Sequence, residues 1–285
     1  MSKRRAVVLI NPSRAEAVKA AEELAELLLR ENFELVSTTD VELQNITRVP
    51  FDQIGEVEVA IVLGGDGTIL RGAEVTLLRD IPLLGINLGH VGFLAEVSKP
   101  TIAAIAECVI KKSYVHENRM VLGYSVLRDG EEISQGWALN EITVERESTA
   151  MVELFVEIDH RPLSHWGCDG LICSTPTGST AYAFSAGGPV LWPEIDALVL
   201  LPISAHALFS RPMVVSTKSE IVVTVESPAA LLSADALRKL PLLEGDRVVI
   251  TRNPHTIKLA HVSPTLFTDR LVAKFKLPVE GWRGE

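Results

Sequence analysis

Short apolar runs alternate with amphipathic stretches through the first 113 residues. Ala6-Val7-Val8-Leu9-Ile10 reads as a buried strand. Asn11-Pro12-Ser13 then turns the chain, because Pro12 fixes its own φ and biases Asn11 away from helix. Ala15 to Glu31 is rich in strong helix formers, with Val18, Ala21, Leu24, Ala25 and Leu28 on one face. Phe33 to Ser37 predicts a second strand, and residues 38–55 are polar and mixed, with no readable period. A third strand, Val57 to Leu63, is followed by a glycine turn and a helix to about Arg79. Pro82 to Ile86 predicts a fourth strand, and Thr101 to Lys112 a further helix. Strands alternating with helices predict a mainly parallel, helix-covered sheet, in which ligands bind past the carboxyl ends of strands.

Beyond about Ser113 the period changes. Val121–Arg128, Gly136–Glu145, Met151–Ile158, Glu220–Glu226, Arg247–Arg252 and Thr256–Val262 are short β-type runs. In Met151–Ile158 the residues Val152, Leu154, Val156 and Ile158 alternate with mainly polar neighbours, as in a half-buried strand. Asp129-Gly130 between two runs signals a hairpin. The expected architecture is an N-terminal α/β domain with a mainly parallel sheet over residues 1–113. A β-sandwich-like domain is expected over 114–265. The segment 266–285, with a short helix from Thr268 to Lys276, is expected to pack back on the first domain.

The 285-residue length suits two cores. A net charge of −10 argues against nucleic acid or an anionic membrane as the main partner, since both call for a basic surface. It leaves anionic metabolites open, because backbone N–H groups can capture a phosphate on an acidic protein. Three cysteines (Cys108, Cys168, Cys173) have no zinc-like spacing and fit a reducing cytoplasm. The apolar run after Lys3-Arg4-Arg5 is too short for a secretory signal, and no run reaches membrane-spanning length.

Candidate chemistry concentrates in three places. Gly64-Gly65-Asp66-Gly67-Thr68 joins a strand to a helix, the arrangement from which phosphate sites are built. Its glycines are expected to bend with positive φ and bring N–H groups close to a ligand. No Gly-Lys-Ser/Thr follows, so it is not a Walker loop, and Leu70 occupies the third glycine position of the dinucleotide fingerprint. A carboxylate repels phosphate, so Asp66 calls for a reason of its own. One reading is proton acceptance from a hydroxyl about to be phosphorylated; the other is a helix cap. Thr68 reads equally as a phosphate donor or a cap, and Arg71 as a phosphate contact or a helix-face decoration.

Asn140-Glu141 interrupts the apolar run Trp137–Val144; it is a candidate for hydroxyl or amide recognition, but taken alone it reads best as a solvent-facing edge or bulge pair. The densest polar stretch is Cys168-Asp169-Gly170 through Ser174-Thr175-Pro176-Thr177-Gly178-Ser179-Thr180-Ala181-Tyr182, a strand leading into a hydroxyl-rich turn and a helix start. Such a turn either offers donors to a ligand, with Tyr182 stacking on a base or ribose, or hydrogen-bonds its own backbone. The histidines are scattered without i, i+4 pairs, and no metal ligand is assigned.

Together, Gly64–Thr68, Asn87 with Gly89–Leu94, Asn140-Glu141, and Asp169-Gly170 with Thr175–Tyr182 resemble the NAD kinase family, in the family's order and over most of the chain. The first block is shared with lipid kinases and phosphofructokinases; the Thr-Pro-Thr-Gly-Ser-Thr-Ala-Tyr block is far more specific. The resemblance implies ATP-dependent phosphorylation of NAD at the 2′-hydroxyl of its adenosine ribose, in an inter-domain cleft, with Asp66 as proton acceptor. It implies ATP phosphates on Gly64, Gly65, Gly67 and Thr68. It implies NAD on Asp66, Gly67, Arg71, Asn140, Glu141, Asp169, Thr180, Ala181, Tyr182 and Ser185. It also implies a divalent cation, usually Mg²⁺, held mainly by substrate phosphates, polyphosphate as an alternative donor, and a homodimer or homotetramer. The chain departs from the family pattern at Cys168, where glycine is usual, and at Asp235-Ala236-Leu237, where Asp-Gly and a polar residue are common. A lipid kinase is the first rival, disfavoured by the net acidity and the 169–182 block. A non-catalytic NAD sensor is the second, disfavoured by an intact Asp66.

Overall fold

The structure, a computed structural model, describes residues 3–88, 92–95, 100–264 and 266–279. Two compact units divide the chain: one holds the residues up to Asn118 and from Ile257 onward, the other Arg119–Thr256. Both divisions fall inside long strands rather than in linkers.

The first unit is built on β1 (Arg4–Ile10), β2 (Phe33–Ser37), β3 (Thr47–Arg48), β4 (Val59–Leu63) and β5 (Leu83–Ile86). The pairs β1–β2, β1–β4, β2–β3 and β4–β5 are all parallel. Such strands need covered faces, which explains why β4 is buried at every position. On one face, α1 (Ala15–Arg30) and α3 (Ile102–Lys111) bring Leu24, Leu28 and Ile105 onto Val8, Ile61 and Leu84. Each such leucine contributes roughly 1.5–3 kcal/mol of burial. Thr101 caps α3, accepting from the Ala104 N–H at 3.2 Å. On the other face, α2 (Asp66–Thr76) comes so close at Gly72 that a Cβ there would lie 2.6 Å from Val62 and 2.7 Å from Leu83. The polar stretch 38–55 contains β3 and one short 3₁₀ turn, Phe51–Gln53.

The second unit is all but strand. In chain order these are β6 (Val115–Arg128), β7 (Glu131–Ala138), β8 (Glu141–Arg146), β9 (Val152–Ile158), β10 (Arg161–Cys168) and β11 (Gly170–Ser174). A one-turn helix, α4 (Tyr182–Ser185), comes next. There follow β12 (Ala197–Ile203), β13 (Met213–Ser216), β14 (Ile221–Val225), β15 (Ala229–Ala234), β16 (Arg238–Leu243) and β17 (Arg247–His261). One antiparallel sheet runs β13-β12-β11-β8-β15-β16. The other carries β10-β9-β14-β17, with β6 paired to β17 and β7. Ile142, Val144, Leu171, Leu200 and Leu232 from the first sheet form one core with Leu154, Val156, Val223 and Ile250 from the second. This is the expected sandwich.

Three local expectations are corrected. The run Gly136–Glu145 is two strands, because Leu139 and Asn140 leave the ladder between β7 and β8. The runs 247–252 and 256–262 are one continuous strand, whose last residues pair in parallel with β5 in the first unit. The helix after the hydroxyl-rich turn amounts to a 3₁₀ turn, Gly178–Thr180, and the single turn α4. The last helix of the first unit, α5 (Phe267–Phe275), buries Arg270 and Leu271. Among the described residues, no helix is long and apolar enough to cross a membrane.

Candidate active site

In the first unit, β4 delivers the chain to the glycine turn, and the Gly64 N–H donates to the Ile86 carbonyl at 2.9 Å. The expected positive φ is not found at Gly64, Gly65 or Gly67. Their absent side chains serve proximity instead. A Cβ on Gly64 would lie 2.5 Å from Thr68 Oγ1, whereas one on Gly65 or Gly67 would meet nothing within 4 Å. The space above Gly65 and Gly67, at the start of an eleven-residue helix, is therefore open to an anion drawn by unpaired N–H groups and the helix dipole. Arg71 is exposed, one turn further along α2.

Asp66 is not a cap. Gly65 holds that position without a side-chain bond, and Asp66 is the first helical residue. Its carboxylate turns to the loop after β5, where Oδ2 accepts from the Phe93 N–H at 3.1 Å and Oδ1 from the Leu94 N–H at 3.2 Å. This grip needs a glycine next door, because a Cβ on Gly92 would lie 2.1 Å from Asp66 Oδ1. Gly92→Ala is expected to push the carboxylate out of its two hydrogen bonds and lower turnover by about 10²-fold, as an ångström-scale misplacement does. The thermal midpoint should shift little, since the displaced group is only partly buried; steady-state rates beside a melting curve check both. Gly89, His90 and Val91, which belong to the same sequence block, lie outside the described residues.

In the second unit, Asn140 and Glu141 do not face solvent: they are 9% and 7% exposed. The Leu139 and Asn140 N–H groups donate to the Asp235 carboxylate at 2.8 and 2.7 Å, and the Asp235 N–H donates back to the Glu141 carbonyl at 3.0 Å. The Asn140 carbonyl in turn accepts from the Thr175 N–H at 2.8 Å. Burial, and then the Asp235 charge, push the Glu141 carboxyl up to about 8. Its Oε2 is buried and has no hydrogen-bond partner in the protein. An acid held near neutrality with a free oxygen is fitted to exchange hydrogen bonds with a hydroxyl ligand.

The self-bonding reading of the hydroxyl-rich turn is seen directly in its hydroxyls. Ser174, Thr175, Thr177 and Ser179 are buried, and three of them bond backbone carbonyls: Ser174 Oγ to that of Thr175 at 3.0 Å and Ser179 Oγ to that of Pro176 at 2.7 Å within the turn, and Thr175 Oγ1 to that of Leu139 at 2.6 Å before β8. They are scaffold. Thr180 and Ala181 are half-buried, with Thr180 Oγ1 donating to the Thr177 carbonyl at 3.2 Å, and Tyr182 and Ser185 are exposed. Tyr182 donates its hydroxyl to Glu145 Oε2 at 3.3 Å, and Asp169 pairs with Arg146 at 2.9 Å. A recess of about 220 Å³ joins Glu141 and Tyr182 to Thr143, Glu145, Arg146 and Lys239.

Two family models match the chain: the ATP-NAD kinase N-terminal domain over residues 7–114, and the ATP-NAD kinase C-terminal domain over residues 139–262. NAD kinase 2 of Streptomyces avermitilis is 44% identical over 290 residues, covering 97% of this chain and 96% of the relative. The chain belongs to the NAD kinase family. The NAD kinase of Thermobifida fusca is 43% identical, with 99% and 92% of the two chains covered. Among solved structures, an Archaeoglobus fulgidus NAD kinase in complex with ATP is 29% identical with a TM-score of 0.72, covering 95% of this chain and 98% of that one. Yeast NADH kinase complexed with NADH shares the fold, with a TM-score of 0.87 at 21% identity, covering 99% and 90%.

The N-terminal NAD kinase model spans the glycine turn and the Phe93-Leu94 grip; the C-terminal one spans every candidate residue of the second unit. Of the two departures from the family pattern, Cys168 is absorbed by packing: its side chain is wholly buried in the sandwich core. At the other, Asp235 is a backbone clamp, a role not read from the sequence. It follows β15 in a three-residue turn in which Asp235 and Ala236 both have left-handed φ, +54° and +55°. Aspartate tolerates this region; alanine costs roughly 1 kcal/mol there. Ala236→Gly is therefore expected to raise the thermal midpoint by about 1–3 °C, and a melting curve reads it. Thr143, Glu145, Arg146 and Lys239 also went unread, although Glu141, Thr143 and Glu145 alternate along β8 and so share one face.

Proposed function

We propose that this chain carries out the reaction of its family, ATP-dependent phosphorylation of NAD to NADP, with Asp66 taking the proton of the adenosine-ribose 2′-hydroxyl as it attacks. The observation that supports the role of Asp66 is its paired grip by the Phe93 and Leu94 N–H groups beside two glycines with open space above them. Each carboxylate oxygen spends one acceptor position on the loop and keeps another for a hydroxyl. A free aspartate, with a pKa of about 4, is a weak base for an alcohol, but phosphoryl transfer depends mainly on alignment and charge neutralisation. Orientation by a fixed carboxylate is what this geometry offers.

In this reading Gly64, Gly65, Gly67 and Thr68 receive the ATP phosphates. Asp66, Gly67, Arg71, Asn140, Glu141, Asp169, Thr180, Ala181, Tyr182 and Ser185 bind NAD. The donor set suits a divalent cation that arrives with the nucleotide: each Asp66 oxygen keeps a free acceptor position beside the open space above Gly65 and Gly67. Mg²⁺ held chiefly by the phosphates would neutralise charge on the transferred group. Inorganic polyphosphate is a second donor to be tested. The protein works in the cytoplasm as a homodimer or homotetramer in this reading, which sedimentation can measure.

A coupled NADP-formation assay with Mg-ATP tests the reaction, with polyphosphate replacing ATP in a parallel arm. NADP should accumulate with ATP. No NADP from either donor, or phosphorylation of diacylglycerol or a sphingoid base instead, would overturn the proposal.

A further inference from the structure

The grip on Asp66 is itself held from behind. One peptide group carries it: the Leu94 N–H donates to Asp66 Oδ1 at 3.2 Å, and the Phe93 carbonyl on the same peptide accepts from Arg270 Nη1 at 3.1 Å. A trans peptide points its C=O and N–H in opposite directions, so the guanidinium and the carboxylate sit on opposite ends of one dipole. Fixing the carbonyl fixes the donor. Polarising the carbonyl also strengthens the donor, by about 10–30% per bond in a hydrogen-bonded chain.

Arg270 is equipped to hold such a position. It is 1% exposed on α5, and its Nη1 also meets Glu117 Oε1 at 3.2 Å while Nη2 stands 2.9 Å from His261 Nε2. A planar fork held at both terminal nitrogens has little freedom to swing. The same helix holds the Phe93 side chain, whose ring lies 6.1 Å from that of Phe267 and 5.6 Å from that of Phe275. Residue 93 is thus tied to α5 through its carbonyl and its ring, and it offers its own N–H to Asp66 Oδ2 at 3.1 Å.

We infer that Arg270 is a positioning residue for the phosphoryl-transfer step, acting through the Phe93–Leu94 peptide to orient the Asp66 carboxylate, with α5 as its support. This rests on the role proposed above for Asp66. A residue that only stabilises α5 would change stability and substrate affinity without singling out Asp66.

The test is a double-mutant cycle on the full chain, with kcat and KM for NAD and for ATP measured on Arg270→Met, Asp66→Asn and the double variant. Arg270→Met is expected to lower kcat about tenfold or more with both KM values within about twofold, because orientation rather than binding is lost. In the Asp66→Asn background the same change should alter the residual kcat by less than about twofold, since coupled residues are not additive. Arg270→Lys keeps the cation and one donor, so it should recover part of the loss; it also carries the cycle if Arg270→Met does not fold. The inference is overturned by a folded Arg270 variant with wild-type kcat, or by an equal loss in both backgrounds. Near wild-type kcat in Asp66→Asn alone would instead remove the reading on which it rests, whatever Arg270 does.

Discussion

Asp66→Asn should fold and lose about 10²–10⁴-fold in turnover, the usual range when a proton acceptor is removed. The substitution keeps the shape of the side chain and deletes its charge. Asparagine can accept from one of the two loop donors, Phe93 N–H or Leu94 N–H, but turns an NH₂ toward the other. One lost hydrogen bond, one weakened by the loss of charge, and a lost favourable charge at the start of α2 together cost about 1–3 kcal/mol. That amounts to a fall of roughly 2–10 °C in thermal midpoint. Turnover should therefore fall far more than stability. KM for ATP is expected to hold, because the charge that disappears both repels the phosphates and attracts the cation they carry. Comparing kcat with the melting curve separates the two effects, and near wild-type turnover would sink the assignment of Asp66.

The sequence carried this site unevenly, for reasons that lie in particular residues. Gly64–Thr68 was legible because strand, glycine turn and helix start are contiguous, so local pattern alone located them. The partner of Asp66 was not, since Phe93 and Leu94 follow β5 and meet Asp66 only when β4 and β5 pair in parallel. The α/β alternation and the sandwich were also legible, because 3.6- and 2-residue periods survive in one chain. Pro162, Pro202 and Pro241 lie inside β10, β12 and β16, and proline argues against a strand interior, so local pattern does not announce these strands. Asn140-Glu141 misled for the opposite reason. A polar pair in an apolar run reads as exposed, and only Asp235, nearly a hundred residues on, supplies the acceptors for the Leu139 and Asn140 N–H groups that burial would otherwise leave unpaired. The serines and threonines of the 174–180 turn were visible as a group, but which hydroxyls bond their own backbone depends on geometry that composition does not encode.

Gly178→Ala should be the most damaging single methyl in the second unit. A Cβ there would lie 2.2 Å from the Asn140 carbonyl oxygen, 2.4 Å from its carbon and 2.6 Å from Ser174 Oγ. Two of those atoms are backbone, and both ends are tied: the Thr175 N–H donates to the Asn140 carbonyl, and the Gly178 N–H to Thr175 Oγ1 at 3.1 Å. Neither segment can retreat by an ångström without breaking those bonds. Overpacking and lost buried hydrogen bonds together cost about 3–5 kcal/mol. The midpoint should fall by roughly 6–15 °C. Because Asn140 and Glu141 move with the turn, KM for NAD should rise at temperatures where the variant remains folded. Gly67→Ala provides the contrast. Its Cβ meets nothing within 4 Å and enters the first turn of a helix, so stability should hold or rise slightly. If ATP phosphates occupy the open space above Gly67, that methyl should raise KM for ATP instead. Identical substitutions with opposite readouts, stability at one glycine and nucleotide affinity at the other, distinguish a glycine kept for the fold from one kept for the ligand. A Gly67→Ala enzyme with unchanged KM for ATP would remove that residue from the phosphate cradle.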